Sequence, residues 1–94
     1  MKLKFEWDAA KARANWKKHG VSFELATTVF RDPFAIELVD DREDYGEERL
    51  LLIGMVESQV LLHVAFTERE DTIRIISARR ATQHEQDEYF RQNS

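Results

Sequence analysis

Ninety-four residues, 43% of them hydrophobic and 34% charged, with three glycines, one proline and no cysteine, describe one small folded domain over residues 1–94. They exclude a second domain, a disulfide framework and thiol chemistry. The formal net charge of −4 excludes a general nucleic-acid coat, because nonspecific affinity comes from many cations neutralising phosphates.

Met1 to Asp8 hold no apolar run long enough for a signal peptide or a membrane span, so a cytoplasmic protein is expected. Asp8 is a good N-cap, and Gly20, following Lys17, Lys18 and His19, is a good terminator with cations set against the negative end of the dipole. A first helix is therefore expected from Ala9 to His19. On a helical wheel Ala9, Ala12 and Trp16 share one side, which places Trp16 in the core, while Lys11, Asn15 and Lys18 form an exposed stripe. Ser22 caps a second helix, in which Phe23, Ala26, Val29 and Phe30 recur at helical spacing until Asp32 and Pro33 end it. Val21, just before the cap, can staple onto Ala26.

After Pro33 the pattern changes to short runs rich in Ile, Leu and Val: Phe34 to Val39, Arg49 to Met55, Val60 to Thr67 and Thr72 to Ala78. Their short connections suit antiparallel hairpins, so the expected fold class is α+β: two N-terminal helices, a four-stranded antiparallel sheet and a C-terminal helix. In the third run Val60, Leu62, Val64 and Phe66 alternate with Leu61, His63, Ala65 and Thr67, and the first set should face the helices. Thr82 and Glu85 have capping-box spacing and start the last helix, which runs to about Gln92. Its only large apolar residues are Tyr89 and Phe90, which leaves it mobile or completed by a partner.

Charge is polarised along the chain. Lys11, Arg13, Lys17 and Lys18 occur with no acid among them, whereas Glu37 to Glu48 carries seven acids against Arg42 alone. One surface suits phosphates and the other a basic partner; the alternative is two ordinary solvated surfaces. Arg79 and Arg80 end the most β-branched run of the chain, Ile73 to Ile76, and stand where fixed cations meet a rigid sheet. An arginine fork matches phosphate or carboxylate; the alternative is salt bridges to local acids.

Phe5-Glu6-Trp7-Asp8, Lys11, Asn15, Lys18-His19-Gly20-Val21-Ser22-Phe23-Glu24, Glu48-Arg49, Ile53-Gly54, Thr67-Glu68-Arg69 and Ile73 to Ala81, in this order, resemble the BrnT family over nearly the whole chain. The resemblance implies a bacterial type II toxin with a RelE-like ribonuclease fold that cleaves RNA to inhibit translation. It also implies a cognate BrnA-like antitoxin that neutralises the toxin and represses their operon, so that operator DNA is met only through the complex. Two positions depart from the family pattern: Gln83 to Glu88 is net acidic where arginines are frequent, and Ala9 follows the Trp-Asp pair where proline is common.

Metal-free RNA cleavage needs a base to activate the 2'-hydroxyl, cations for the phosphorane oxygens and an acid for the departing 5'-oxygen. No metal or other cofactor is expected, since His19, His63 and His84 lack zinc spacing and the acids near Asp40 lack the order of a calcium loop. Arg69, in the hairpin before the last strand, is expected to converge with Arg79 and Arg80 on one phosphate. Strand alternation sends Arg79 and Arg80 to opposite faces, and Arg79 is preferred for the site. His19 is a candidate base or acid, or simply a helix-capping imidazole. With RelE-like enzymes as guide, Tyr89 is a further catalytic candidate. Lys11 and Lys18 are candidate RNA contacts, and Trp7 either stacks a base or packs beside the first helix. The rival function is a non-catalytic binding module, or a degenerate toxin, whose arginines grip an acidic partner. A DNA-binding protein acting alone is disfavoured by the net charge and the absence of a basic recognition helix.

Overall fold

A computed structural model describes residues 3–41 and 46–94. Five strands, β1 (Lys4–Glu6), β2 (Ile36–Asp40), β3 (Arg49–Met55), β4 (Leu61–Arg69) and β5 (Thr72–Arg80), form one sheet in the order β1-β5-β4-β3-β2. Helices α1 (Ala9–His19) and α2 (Phe23–Thr27), the latter continued by a 3₁₀ turn over Thr28–Arg31, cover one face; α3 (Gln83–Gln92) packs on the other.

The sheet is mixed and not purely antiparallel. β1 pairs in parallel with β5, Phe5 opposite Ile73, and this fifth strand is the correction to the expected four. Three residues with one apolar side chain carry no periodic signal, and their partner lies at the far end of the chain. What fixes β1 is Phe5, whose ring meets Phe30 edge-on at 5.2 Å; Phe30 in turn meets Phe66 of β4 at 5.0 Å.

The helix ends form as their residues dictate. Asp8 accepts the Lys11 N–H at 2.9 Å, Ser22 accepts that of Leu25 at 3.0 Å, and Gly20 closes α1 in the left-handed conformation. The face α1 buries differs from the expected one, however. Trp16 is 59% exposed and Asn15 only 7%. With alanine as its main apolar residue, α1 has little area to bury, and polar bonds set its rotation. The Asn15 amide donates to the carbonyls of Val21 (2.9 Å) and Ala78 (2.8 Å) and accepts the Ala78 N–H at 3.0 Å. β1 reaches only to Arg74, so Asn15 completes the edge of β5 where no strand does.

Val64, Phe66, Ile73, Ile75 and Ala78 face the helices. Ala65 pairs with Ser77 and Phe66 with Ile75, so Ile76 is an extra residue in β5. That bulge reverses the alternation: it turns Ala78 into the core and Arg79 to the opposite face, beside His63. Gly54 in β3 serves another close approach, since a Cβ there would stand 2.7 Å from Val29 Cγ1 and 3.0 Å from Ala35 Cβ. Gly54→Ala is expected to cost about 1–3 kcal/mol through overpacking, read by urea denaturation.

α3 is docked and not loose. Tyr89 is buried against Ile36, Ile53, Leu61 and Ala81, while Phe90 remains exposed. The Tyr89 hydroxyl donates to Asp32 Oδ2 at 2.7 Å, and Asn93 donates to the Phe34 carbonyl at 3.0 Å. One aromatic ring with a satisfied polar tip thus holds the helix that two had seemed too few to secure.

Candidate functional site

Arg79 sits at the end of β5, with His63 of β4 opposite it. Its Nη1 donates to Glu85 Oε1 at 2.8 Å and to the Arg80 carbonyl at 3.1 Å, and its Nη2 donates to Glu85 Oε2 at 2.9 Å. Glu85 is also the capping-box residue of α3: its Oε1 accepts the Thr82 N–H at 2.8 Å while Thr82 Oγ1 accepts its own N–H at 3.2 Å. One carboxylate therefore starts the helix and orients the guanidinium. His63 Nε2 lies 3.7 Å from Glu85 Oε2. The Nε–H of Arg79 and one Nη2 N–H have no acceptor among the described residues and can address an anion.

Hydrogen bonding to Arg79 holds the Glu85 carboxyl at about 2, against the opposing effect of burial and with help from the Thr82 N–H. Glu85 is thus an acceptor near neutrality and a poor base. Because its folded value lies below the ordinary 4.5, its stabilising contribution is complete above about pH 4.5 and is lost as pH falls towards 2. Thermal melts across that window should therefore fall more steeply for the wild type than for Glu85→Gln, whose amide preserves the cap.

The remaining expected site residues are distributed over the molecule. Arg80 pairs with Leu62, on the opposite face from Arg79, and is exposed beside Gln59 and Gln86. Arg69 does not converge with them. It pairs with Thr72 at the hairpin turn, six residues along β4 from the His63–Arg79 pair, roughly 20 Å at about 3.3 Å per residue. Sharing a hairpin brings strands together, but only residues in register are neighbours. Arg69 instead grips Glu47 through Nε (3.4 Å) and Nη2 (3.0 Å), and Arg74 pairs with Glu6 at 2.7 Å. The Arg69 hydrogen bond, together with the charges of Arg74 and Arg49, holds the Glu47 carboxyl below its ordinary range.

Lys11, Lys18 and His19 do come together, lining an open cleft over Ile76 and Ser77 where β5 has passed the end of β1. Trp7 is half-buried and packs edge-on against Phe23 at 5.9 Å, so in this structure its ring belongs to the core margin. Tyr89 is likewise structural here. Burial, with Asp32 beside it, pushes its hydroxyl up to about 12, far from the range of a proton donor at neutral pH. Asp32 also accepts the Met55 and Phe34 N–H groups; these bonds and that of Tyr89 outweigh burial and hold its carboxyl below its ordinary range.

The acidic stretch is not a uniform surface, since Asp40 is buried and Glu47 is bonded to Arg69; Arg42 to Tyr45 lie outside the described residues. Among the described residues no three His, Asp or Glu side chains converge to hold a metal ion, and no helix is long and apolar enough to cross a membrane. Sequence reasoning set Asn15 on an exposed stripe and so missed its place at the β5 edge, and it missed the second role of Glu85. The capping box revealed where Glu85 sits, but the turn of Arg79 towards it depends on the bulge.

A helix pair on one face of a five-stranded mixed sheet, a third helix on the other and an arginine clamped near the end of β5 define a small α+β protein. The family model described as the ribonuclease toxin BrnT of type II toxin-antitoxin systems matches residues 7–85, and the chain belongs to that family. The 1.1 Å crystal structure of the Brucella abortus ribonuclease toxin BrnT superposes with a TM-score of 0.59 at 25% identity, covering 87% of this chain and 100% of that one. No curated protein sequence matches.

Proposed function

We propose that this chain is an endoribonuclease that cleaves RNA without a metal, by attack of the 2'-hydroxyl on the adjacent phosphorus, and thereby inhibits translation. Membership of a family of ribonuclease toxins supports the activity. The observation that carries the choice of site is Arg79, fixed by Glu85 with two N–H groups still available for phosphate. In this reading those groups stabilise the charge that develops on the nonbridging oxygens. RNA runs past the end of β5, where Lys11 and Lys18, lining a cleft with His19 over Ile76 and Ser77, hold its backbone, and His19 is the candidate for proton exchange. Arg80 serves a neighbouring phosphate. Arg69 and Tyr89 are assigned supporting roles, the first in its pair with Glu47 and the second as the α3 latch.

A toxin of a type II system is paired with an antitoxin. We take it to be BrnA-like, to neutralise this chain in the cytoplasm and to carry the complex to operator DNA. The second reading, a binding module whose arginines grip an acidic partner, draws on the fact that Arg79 and Arg69 already hold carboxylates. The test is incubation of end-labelled RNA with partner-free protein in EDTA, with analysis of the new termini. Products ending in a 2',3'-cyclic phosphate support the proposal; intact RNA favours the binding module.

A further inference from the structure

α1 and α2 enclose a groove of about 370 Å³, lined by Ala12, Arg13, Trp16, Lys17, Phe23 and Glu24, that the site described above does not use. Its floor is apolar, with Phe23 fully buried, and one wall is the indole of Trp16, 59% exposed. Leu25, on the outer side of α2, is 40% exposed. The exposure of Trp16 is imposed by the fold: the three hydrogen bonds of Asn15 fix the rotation of α1, and the neighbouring residue then cannot turn inward. The chain's other tryptophan, Trp7, is half-buried and packs edge-on against the same Phe23.

Arg13 and Lys17 stand four residues apart on α1 beside this groove, and α1 carries no acid between Ala9 and His19. An apolar slot with an exposed indole and a cationic rim fits a protein segment that brings a leucine or aromatic anchor flanked by aspartate or glutamate. A nucleic-acid backbone fits less well, because the interior offers apolar carbon in place of donors and Glu24 adds a negative charge to the wall. We propose that the α1–α2 groove is the docking site for an acidic, apolar-anchored segment of the antitoxin, with Trp16 as its central contact. This rests on the toxin reading above. It places antitoxin anchorage on the sheet face opposite Arg79.

The test uses the intact chain and the purified antitoxin encoded with it, by calorimetric titration with wild type, Trp16→Ala and the Arg13→Glu/Lys17→Glu double variant. RNA binding is measured on the same samples. Exposed positions leave melting temperatures near that of wild type. Trp16→Ala is expected to weaken antitoxin binding at least about tenfold, as truncation of a central aromatic contact does. The double variant should bind more weakly, with an affinity that no longer falls as salt is raised. Affinities within twofold of wild type for both variants overturn the inference and leave the toxin reading standing. So does loss of RNA binding with antitoxin affinity intact, which would give the groove to the nucleic acid. Failure of the wild type to bind the antitoxin overturns both.

Discussion

Asn15→Ala is expected to lower the unfolding free energy by about 3 kcal/mol, since each buried polar group left without its partner costs roughly 1–3 kcal/mol. Three such groups are exposed to that loss: the carbonyls of Val21 and Ala78 and the N–H of Ala78. Water entering the space vacated by the amide recovers part of the cost, which is why the sum is not three times the upper figure. Set against the roughly 5–15 kcal/mol that holds a domain of this kind together, the loss is large. At about 4–8 °C per kcal/mol the melting temperature should fall by roughly 12–24 °C. Asn15→Asp is the sharper variant. It preserves shape but replaces the donor of two bonds with a carboxylate oxygen facing two carbonyls, so at neutral pH it should be less stable than the alanine variant. A melting temperature for Asn15→Ala within about 3 °C of wild type would show that α1 is held by something other than its amide, on the same per-kcal scale.

Arg79→Ala is expected to reduce the rate of RNA cleavage at least about 100-fold, the range found when one preorganised donor to a developing oxyanion is removed. The variant also leaves Glu85 without its partner, so a loss of activity alone would not separate chemistry from folding. Glu85→Gln breaks the same ion pair from the other side while leaving the guanidinium in place and keeping a residue that can cap α3. A phosphate-binding Arg79 therefore makes the two variants differ: Arg79→Ala inactive, Glu85→Gln retaining cleavage. A merely structural Arg79 makes them lose activity together. Arg79→Lys should fall between, because an ammonium supplies charge without the fork that can serve Glu85 and a phosphate at once.

Much of this architecture is local and was legible as such. The first helix from Ala9 to His19, the strand Arg49–Met55 and the capping box of Thr82 and Glu85 stand where caps, terminators and β-branched runs placed them. The misplaced features are those decided by contacts distant in sequence. β1 exists because Phe5 finds Phe30 and Ile73, and nothing in Lys4-Phe5-Glu6 announces it. Asn15 and Trp16 exchanged roles because a hydrophobic wheel gives no weight to an amide that pairs with Ala78 across 63 residues of chain. The bulge at Ile76 has no signature in a run of isoleucines, yet it decides which face receives Arg79. The expected meeting of Arg69 with Arg79 failed for a related reason: proximity along a hairpin depends on register, and the turn puts Arg69 at the end opposite Arg79. Lys11 and Lys18 share one side of α1, as their spacing implied, and His19 lines the same cleft, which the spacing did not announce.

The most direct measurement of the central claim is cleavage of an end-labelled RNA in EDTA by partner-free wild type, Arg79→Ala and Glu85→Gln, each with the circular dichroism of a folded chain. Cleavage by wild type and Glu85→Gln but not by Arg79→Ala is the predicted result. RNA left intact by all three, or cut equally by all three, would contradict a metal-independent ribonuclease centred on Arg79.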